Sequence, residues 1–429
     1  MSAGAAWDEI LEKLSCAFTA PSREIFLRAA SAWVLVPGRR TITRIYQVAE
    51  PSCVRAHDAY HRFFRLGAWS MSELWRVAAV LLLAAFCRRG LVPLLLDDTL
   101  FKKSGRRIGG ASWWRDAVAS TGQKEVSAFG LNLVVLCLRV NPPWGGEPLS
   151  LPIDARLHRK GGKTPVELAS EMAEEMDSWF PGREFDVTAD GAYASFAGSL
   201  PDGWSLTSRM RRDAALYELA PERKPGTRGR PRKRGERLDS PEKMASLAED
   251  WRLVVTSERG KERERLLVDR VVLWHKVLPL RPVRLVISRD PHGKERDDFF
   301  FTTNLSLFPE EVVYRYSGRW SIEDTFRNVK QYLGGEDPQS WVGTGPERAA
   351  CFSFLLYSLI WLWYVQTKGT TITWVTTPWY LKKSTPSFLD AMACLRDVLW
   401  RRRIFSTPDI PVVLRKNIDI LIDVLSRAA

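Results

Sequence analysis

The chain is poor in the side chains that much enzymatic chemistry relies on. Its 429 residues include 5 histidines and 6 cysteines. The cysteines (Cys16, Cys53, Cys87, Cys137, Cys351 and Cys394) are scattered and form no C-x-x-C pair, so they read as buried free thiols of a reducing cytosol. No histidine stands in a triad setting, and there is no G-x-S-x-G elbow, which gives nucleophilic hydrolase chemistry little support. No G-x-G-x-x-G loop is present. "GGKT" at 161–164 lacks the glycine that a phosphate-binding loop needs five positions before Gly162, where Leu157 stands. "HDAYH" places His57 and His61 one helical turn apart, as on a zinc helix, but no third ligand accompanies them. The N-terminus has no basic segment followed by an apolar one, so it does not read as a secretory signal. Long apolar runs are also scarce. The strongest, "AACFSFLLYSLIWLWYV" at 349–365, barely reaches spanning length and reads as a buried core helix. A cytoplasmic protein without a membrane partner is expected.

Basic charge is abundant. Lysine and arginine total 63 against 50 acidic residues, a net charge of +13 and a pI near 9.6. That excess favours a polyanionic partner, nucleic acid ahead of a membrane surface. At this length two or three structural units are expected. Residues 1 to about 88 have helix-like periodicity. "GRRTITRIYQ" carries Arg39, Arg40 and Arg44 on a short helix that suits either a DNA contact or a solvated basic face.

After Gly90 the pattern turns to strands. "LVPLLLDDT" is a continuous apolar run ending in two aspartates, as in a strand buried on both faces. "SAFGLNLVVLCLRV" and "EPLSLPIDARL" follow. "KTPVELASEMAEEMDSWF" then starts a helix with Thr164 as N-cap, Pro165 first and Glu167 completing a capping box. "EFDVTADGAY" is a strand with Asp190 at its end, and "WSLTSRM" is one more. The order of three strands, helix, strand, helix, strand describes a mixed α/β sheet. Residues 221–238, "PERKPGTRGRPRKRGERL", hold eight positive and two negative side chains and read as an exposed loop. Its "RGRP" core resembles the centre of an AT-hook, which lays arginines along a narrow minor groove; a basic linker without sequence preference is the equal alternative. Further strands follow to about residue 302, and from about 346 the chain is helical again.

Three carboxylates stand out: Asp97 (or Asp98) and Asp190 at strand ends, and Glu323 in "YRYSGRWSIEDTFRNVKQYLG", 314–334. Phosphodiester cleavage needs an activated water and relief of charge on the leaving oxygen. Two hard cations clamped by carboxylates supply both. Projected on a helix, Tyr316, Arg319, Glu323 and Lys330 form one file beside an apolar stripe of Ile322, Phe326, Val329 and Leu333. The stripe would seat the helix on the sheet, Glu323 would ligate metal, and the cations would grip phosphate. An exposed intrahelical Arg319–Glu323 pair is the simpler alternative.

The spacing Tyr316-x-x-Arg319-x-x-x-Glu323-x-x-x-x-x-x-Lys330 resembles the Y-R-E-K signature of bacterial insertion-sequence transposases of the DDE class. "LLLDDT" before Lys102 and Lys103, and "DVTADGAY", are similar to the surroundings of that family's first two aspartates. The resemblance implies an RNase H-like mixed sheet with a β-rich insertion, flanked by helical regions. Residues 1–89 would be a helical region binding DNA ends, 90–211 and 297–345 the two parts of the catalytic core, 212–296 the basic loop and insertion, and 346–429 a helical region suited to dimerisation. Asp97, Asp190 and Glu323 would be catalytic and hold two Mg²⁺ ions, with Mn²⁺ a substitute. Asp98 is the fallback for Asp97, since neighbours on a strand face opposite sides. Tyr316, Arg319, Arg327, Lys330, Lys102, Lys103, Arg228, Arg230 and Arg232 would contact double-stranded DNA, both element ends and target. A homodimer in a synaptic complex, working at the bacterial nucleoid, is implied. Trp251 or Trp274 could stack on a displaced base, though burial suits either better. The alternative is a catalytically retired, sequence-tolerant DNA-binding protein derived from a transposase.

Overall fold

This computed structural model describes residues 2–428 apart from 223–229, 231, 259, 370–373, 375–380 and 407–411. Five helices come first: α1 (Ala3–Leu14), α2 (Ala20–Leu35), α3 (Ile42–Ala49), α4 (His57–Leu66) and α5 (Met71–Phe86). Strands β1 (Val92–Lys102), β2 (Ser112–Arg115), β3 (Ser127–Val140) and β4 (Leu149–His158) lead to α6 (Pro165–Trp179), β5 (Phe185–Ala189) and β6 (Trp204–Arg209). There follow β7 (Leu216–Tyr217), α7 (Pro241–Leu247), β8 (Arg252–Glu258), β9 (Lys261–Trp274), β10 (Leu278–Arg289) and β11 (Asp298–Thr302). Helices α8 (Pro309–Ser317), α9 (Ser321–Tyr332), α10 (Gly345–Lys368), α11 (Phe388–Phe405) and α12 (Val412–Arg427) complete the order.

The chain divides into two compact units, one of residues 1–88, 98–163 and 324–429, the other of 89–97 and 164–323. The division falls within β1, after Asp97, and within α9, after Glu323. In the unit of 89–97 and 164–323, β1 runs parallel to β5 and β5 parallel to β6. Strand β11 then pairs antiparallel with β6, and β10 and β9 continue the sheet as hairpin partners, with β7 and β8 both on β9. Strands β7 to β10 fall in the stretch 212–296 read as a β-rich insertion, and β11 pairs with β6. Parallel strands are buried on both faces, and β5, "FDVTA", is buried at every position. Leu267, Val286, Phe300, Leu307, Val312, Val313 and Tyr316 form one cluster, each at most 5% exposed, that seats α8 on this sheet. Each such side chain contributes about 1.5–3 kcal/mol by leaving water.

In the other unit β3 pairs antiparallel with β2 and β4 and neighbours β1. A Cβ on Gly130 would lie 2.2 Å from the Phe101 carbonyl oxygen, so only glycine permits this approach of β3 to β1. The mixed sheet with its flanking helices is that of an RNase H-like core. Helix α10 is long and apolar enough to cross a bilayer, but its residues 349–364 are all buried. It is a core helix. Ile322, Phe326, Val329 and Leu333 are buried, as their spacing required.

Several expectations need correction. The segment 314–334 is not one helix: α8 ends at Ser317, a 3₁₀ turn covers Gly318–Trp320, and α9 starts at Ser321. The Ser317-Gly318 pair gives little support to an α-helix interior. The helix expected between β5 and β6 is a 3₁₀ segment, Gly191–Ser199, and β2 was not anticipated. The α6 start is as read, with Thr164 Oγ1 accepting from Glu167 N at 3.3 Å and Glu167 Oε2 from Thr164 N at 2.7 Å. Cys137 and Cys351 are buried, but Cys16 and Cys53 are exposed. Arg40 is 2% exposed and precedes α3, so it is no DNA contact on that helix's surface. Its backbone N–H donates to Asp337 Oδ2 at 2.8 Å. Trp274 is buried at 4% exposure, and Trp251 packs 4.1 Å beneath the Arg289 guanidinium.

Candidate active site

Three parallel strands bring the charged groups into line. Leu96 is the register partner of Ala189, and Ala189 of Ser208. The next residues along are Asp97, Asp190 and Arg209. Strands in a sheet lie about 4.8 Å apart, so two acids and one base form a row where β5 and β6 end. Asp97 was expected at a strand end, but β1 runs on to Lys102, so it lies mid-strand, one residue past the last pair with β5. Asp190 is held there by its own carbonyl, which accepts from Ser208 Oγ at 2.9 Å.

Helix α8 and the turn after it lay a second set of groups against this row. Tyr316 belongs to the apolar cluster, and its hydroxyl donates to Asp190 Oδ1 at 3.3 Å. From the 3₁₀ turn that follows α8, the Arg319 guanidinium lies 5.6 Å from the Tyr316 ring centre. Arg209 lies 5.3 Å from the same ring. The ring therefore carries two cations within cation–π range. Arg319 Nη1 donates to Asp97 Oδ2, and Nη2 lies 3.5 Å from Glu323 Oε1. One guanidinium thus touches carboxylates 226 positions apart in sequence, counted from Asp97 and Glu323. The intrahelical Arg319–Glu323 pair is present, but not on a wet surface: Arg319 is 8% exposed.

Burial works to lower the Arg319 pKa, and the fields of Asp97, Tyr316, Asp190 and Glu323 outweigh it, so the guanidinium is held above its ordinary value. Burial pushes the Tyr316 phenol up to about 12 despite the neighbouring Arg319 and Arg209. At neutral pH Tyr316 is therefore a hydrogen-bond donor and no base. Asp97 is 17% exposed and Glu323 42% at the side chain, so the group opens to solvent on the Glu323 side. Beside it a cavity of about 210 Å³ is lined by Arg209, Arg263, Arg265, Tyr316 and Trp320, among others.

The remaining sequence candidates lie elsewhere. Asp98 belongs to the other unit, where its charge acts on His158. Lys102 pairs with Asp116 at 2.6 Å. The Lys103 ammonium donates to the Glu336 and Pro338 carbonyls at 2.7 and 3.2 Å. Arg327 pairs with Asp324 at 2.7 Å, both exposed. Lys330 is half-buried on α9, 5.9 Å from the Phe101 ring, and burial lowers its pKa. Arg230 and Arg232 are exposed, whereas Arg228 lies outside the described residues. His57 and His61 face each other at 3.3 Å, with Thr43 on His57 at 3.1 Å. Sequence reasoning missed Arg209 and Arg315. The first is the charge that ends β6, "WSLTSR", a strand whose polar residues hide the apolar run that pointed to Asp97 and Asp190. Arg315 pairs with Asp186, which is 2% exposed at its side chain, and fastens α8 to β5.

An RNase H-like core with acids level with each other on adjoining parallel strands belongs to the class of carboxylate nucleases. Residues 13–266 match the family described as DDE superfamily endonuclease, more than half of the chain, and the chain belongs to that family. It is a family of nucleases acting on DNA. The match takes in Asp97 and Asp190 and stops before Glu323. No curated protein matches the chain. The donor set suits the divalent metals of such nucleases in kind, since all three groups offer hard oxygens. As arranged, however, no three potential ligands among the described residues stand close enough to hold an ion. The cation found between Asp97 and Glu323 is Arg319.

Proposed function

We propose that the protein is a DNA transposase that cuts at the ends of its insertion sequence and joins the freed 3′-hydroxyl to target DNA. The observation that carries the reading is the Arg319 bridge. It gathers Asp97 and Glu323 while Tyr316, against the same guanidinium, donates to Asp190. All three acids are thereby associated with cationic and hydroxyl donors suited to one phosphate group.

In the first step a water oxygen attacks the scissile phosphorus and loses a proton, the P–O3′ bond breaks, and the 3′-oxygen leaves as a hydroxyl. In the second that hydroxyl attacks a target phosphorus, loses its proton, and displaces the target's own 3′-oxygen. Two Mg²⁺ ions, held by Asp97, Asp190 and Glu323, would activate the attacking oxygen and offset charge on the leaving one. Around them the chain supplies positioning. Arg319 and Arg209 offer planar donor pairs to non-bridging oxygens, and Tyr316 adds a neutral donor. Lys330, and the exposed Arg230 and Arg232 of the basic loop, would contact the backbone beyond the cut. A dimer pairing the two ends completes the proposal.

The test uses purified protein, end-bearing duplex DNA and Mg²⁺. Glu323→Gln keeps the size of the side chain and removes its charge, and nicking should fall at least a thousandfold. Cleavage at the parental rate would refute the reading. Labelled 3′-ends then separate transposition from simple nicking: cutting without joined product would mean a nuclease that does not transfer strands.

A further inference from the structure

We infer that Arg319 competes with the divalent cation for Asp97 and Glu323, and that a DNA phosphate is what draws it away, so that metal and DNA bind with positive coupling. The inference rests on the reading of these carboxylates as metal ligands. Its first support is position. Arg319 Nη1 donates to Asp97 Oδ2 and Nη2 lies 3.5 Å from Glu323 Oε1, and the guanidinium is almost wholly buried. A fixed positive charge among the ligands repels a dication brought to the same oxygens. The second support is incomplete satisfaction. Nε of Arg319 is buried and finds no hydrogen-bond partner among the described residues, and its contact with Glu323 is long at 3.5 Å.

A phosphodiester offers what the present contacts do not. Its two non-bridging oxygens match the guanidinium fork and can take Nε and one Nη together, the geometry in which arginine binds oxyanions best. Swinging onto phosphate keeps the guanidinium paired with an anion while Asp97 and Glu323 become available to a cation. Tyr316 stays in place because its ring belongs to the buried cluster and its hydroxyl is held by Asp190. The stable order is then DNA with metal, and metal binds weakly alone. That order would keep the metal from settling on the carboxylates before DNA is bound.

The experiment measures Mn²⁺ binding to the full-length chain by the loss of the free-ion paramagnetic signal, with and without a short duplex, after subtracting Mn²⁺ bound by duplex alone. Parent, Arg319→Gln, Arg319→Lys and Glu323→Gln are compared, each first checked for a cooperative melt. Without DNA, Arg319→Gln should bind Mn²⁺ about tenfold more tightly than the parent, within the usual range of coupling between sites. DNA should tighten Mn²⁺ binding by the parent several-fold and by Arg319→Gln little. Arg319→Lys, which keeps charge but loses the fork, should fall between, and it serves alone if the glutamine variant does not fold. Equal or weaker Mn²⁺ binding by the Arg319 variants, with Glu323→Gln still reducing it, overturns the competition and leaves the site reading intact. Unchanged Mn²⁺ binding in Glu323→Gln overturns the site reading itself, and the inference with it.

Discussion

Replacing Arg315 by methionine should destabilise the unit that holds the carboxylates, by an amount set by what is left behind. Arg315 pairs with Asp186 in the middle of β5, where the Asp186 side chain is 2% exposed and also accepts from Ser205 Oγ at 2.6 Å. Methionine fills most of the space but supplies no charge. The carboxylate then stays in the sheet without its guanidinium. Removing one partner of a buried pair costs about 3–5 kcal/mol, because the remaining charge is uncompensated. Against a total stability of about 5–15 kcal/mol for a folded unit, that is a large share. Urea unfolding followed by tryptophan fluorescence measures the loss. The double variant Arg315→Met, Asp186→Asn removes the stranded charge yet keeps an oxygen for Ser205, and should recover more than half of it. A single-variant loss below about 1 kcal/mol, far under the range for broken buried pairs, would show that the pair does not fasten α8 to β5. So would a double variant no more stable than the single.

Tyr316→Phe keeps the ring in its cluster and removes only the donor to Asp190. Stability should change by about 1 kcal/mol or less, while end nicking falls about tenfold, and parental nicking would deny the hydroxyl a role. Lys103 titrates at about 8, mainly because burial disfavours its charge. The unfolded chain, with an ordinary lysine value of 10.5, binds more protons between those limits, so stability should rise as the pH climbs from about 8 to 10.5. Lys103→Met should remove that part of the slope in pH-dependent melting curves, and identical slopes would refute it. Replacing Arg230 and Arg232 by glutamine should reduce the slope of log affinity for duplex DNA against log salt by about 2. An unchanged slope would place the DNA path away from this loop.

Much of this fold was legible because apolar patterning is local. "LVPLLL" and "EFDVTA" announce buried strands whatever surrounds them, and the Thr164 capping box marks a helix start on its own terms. Where the sequence misled, distant packing decided. Arg40 looks like one of three surface cations, yet Asp337, 297 positions along, draws its backbone inward. Lys102 and Lys103 look like phosphate contacts, but Asp116, Glu336 and Pro338 engage them. A helical projection made Tyr316, Arg319, Glu323 and Lys330 one file, and the 3₁₀ turn at Gly318–Trp320 changes how they meet. Tyr316 stands on α8, Arg319 in that turn and Glu323 in the first turn of α9.

The doublet Asp97-Asp98 shows how a site choice can be argued from register. Neighbouring strand residues point to opposite faces. Asp97 follows directly on Leu96, the partner of Ala189, and so stands level with Asp190. Arg319 then reaches Asp97 from the turn after α8, and the charge of Asp98 acts on His158. Leu94, Leu95 and Leu96 are all buried, so burial alone does not choose between the two faces of this strand. Register chooses: with Leu96 opposite Ala189, Asp97 is the residue level with Asp190, and a slip of one position would bring Asp98 level in its place.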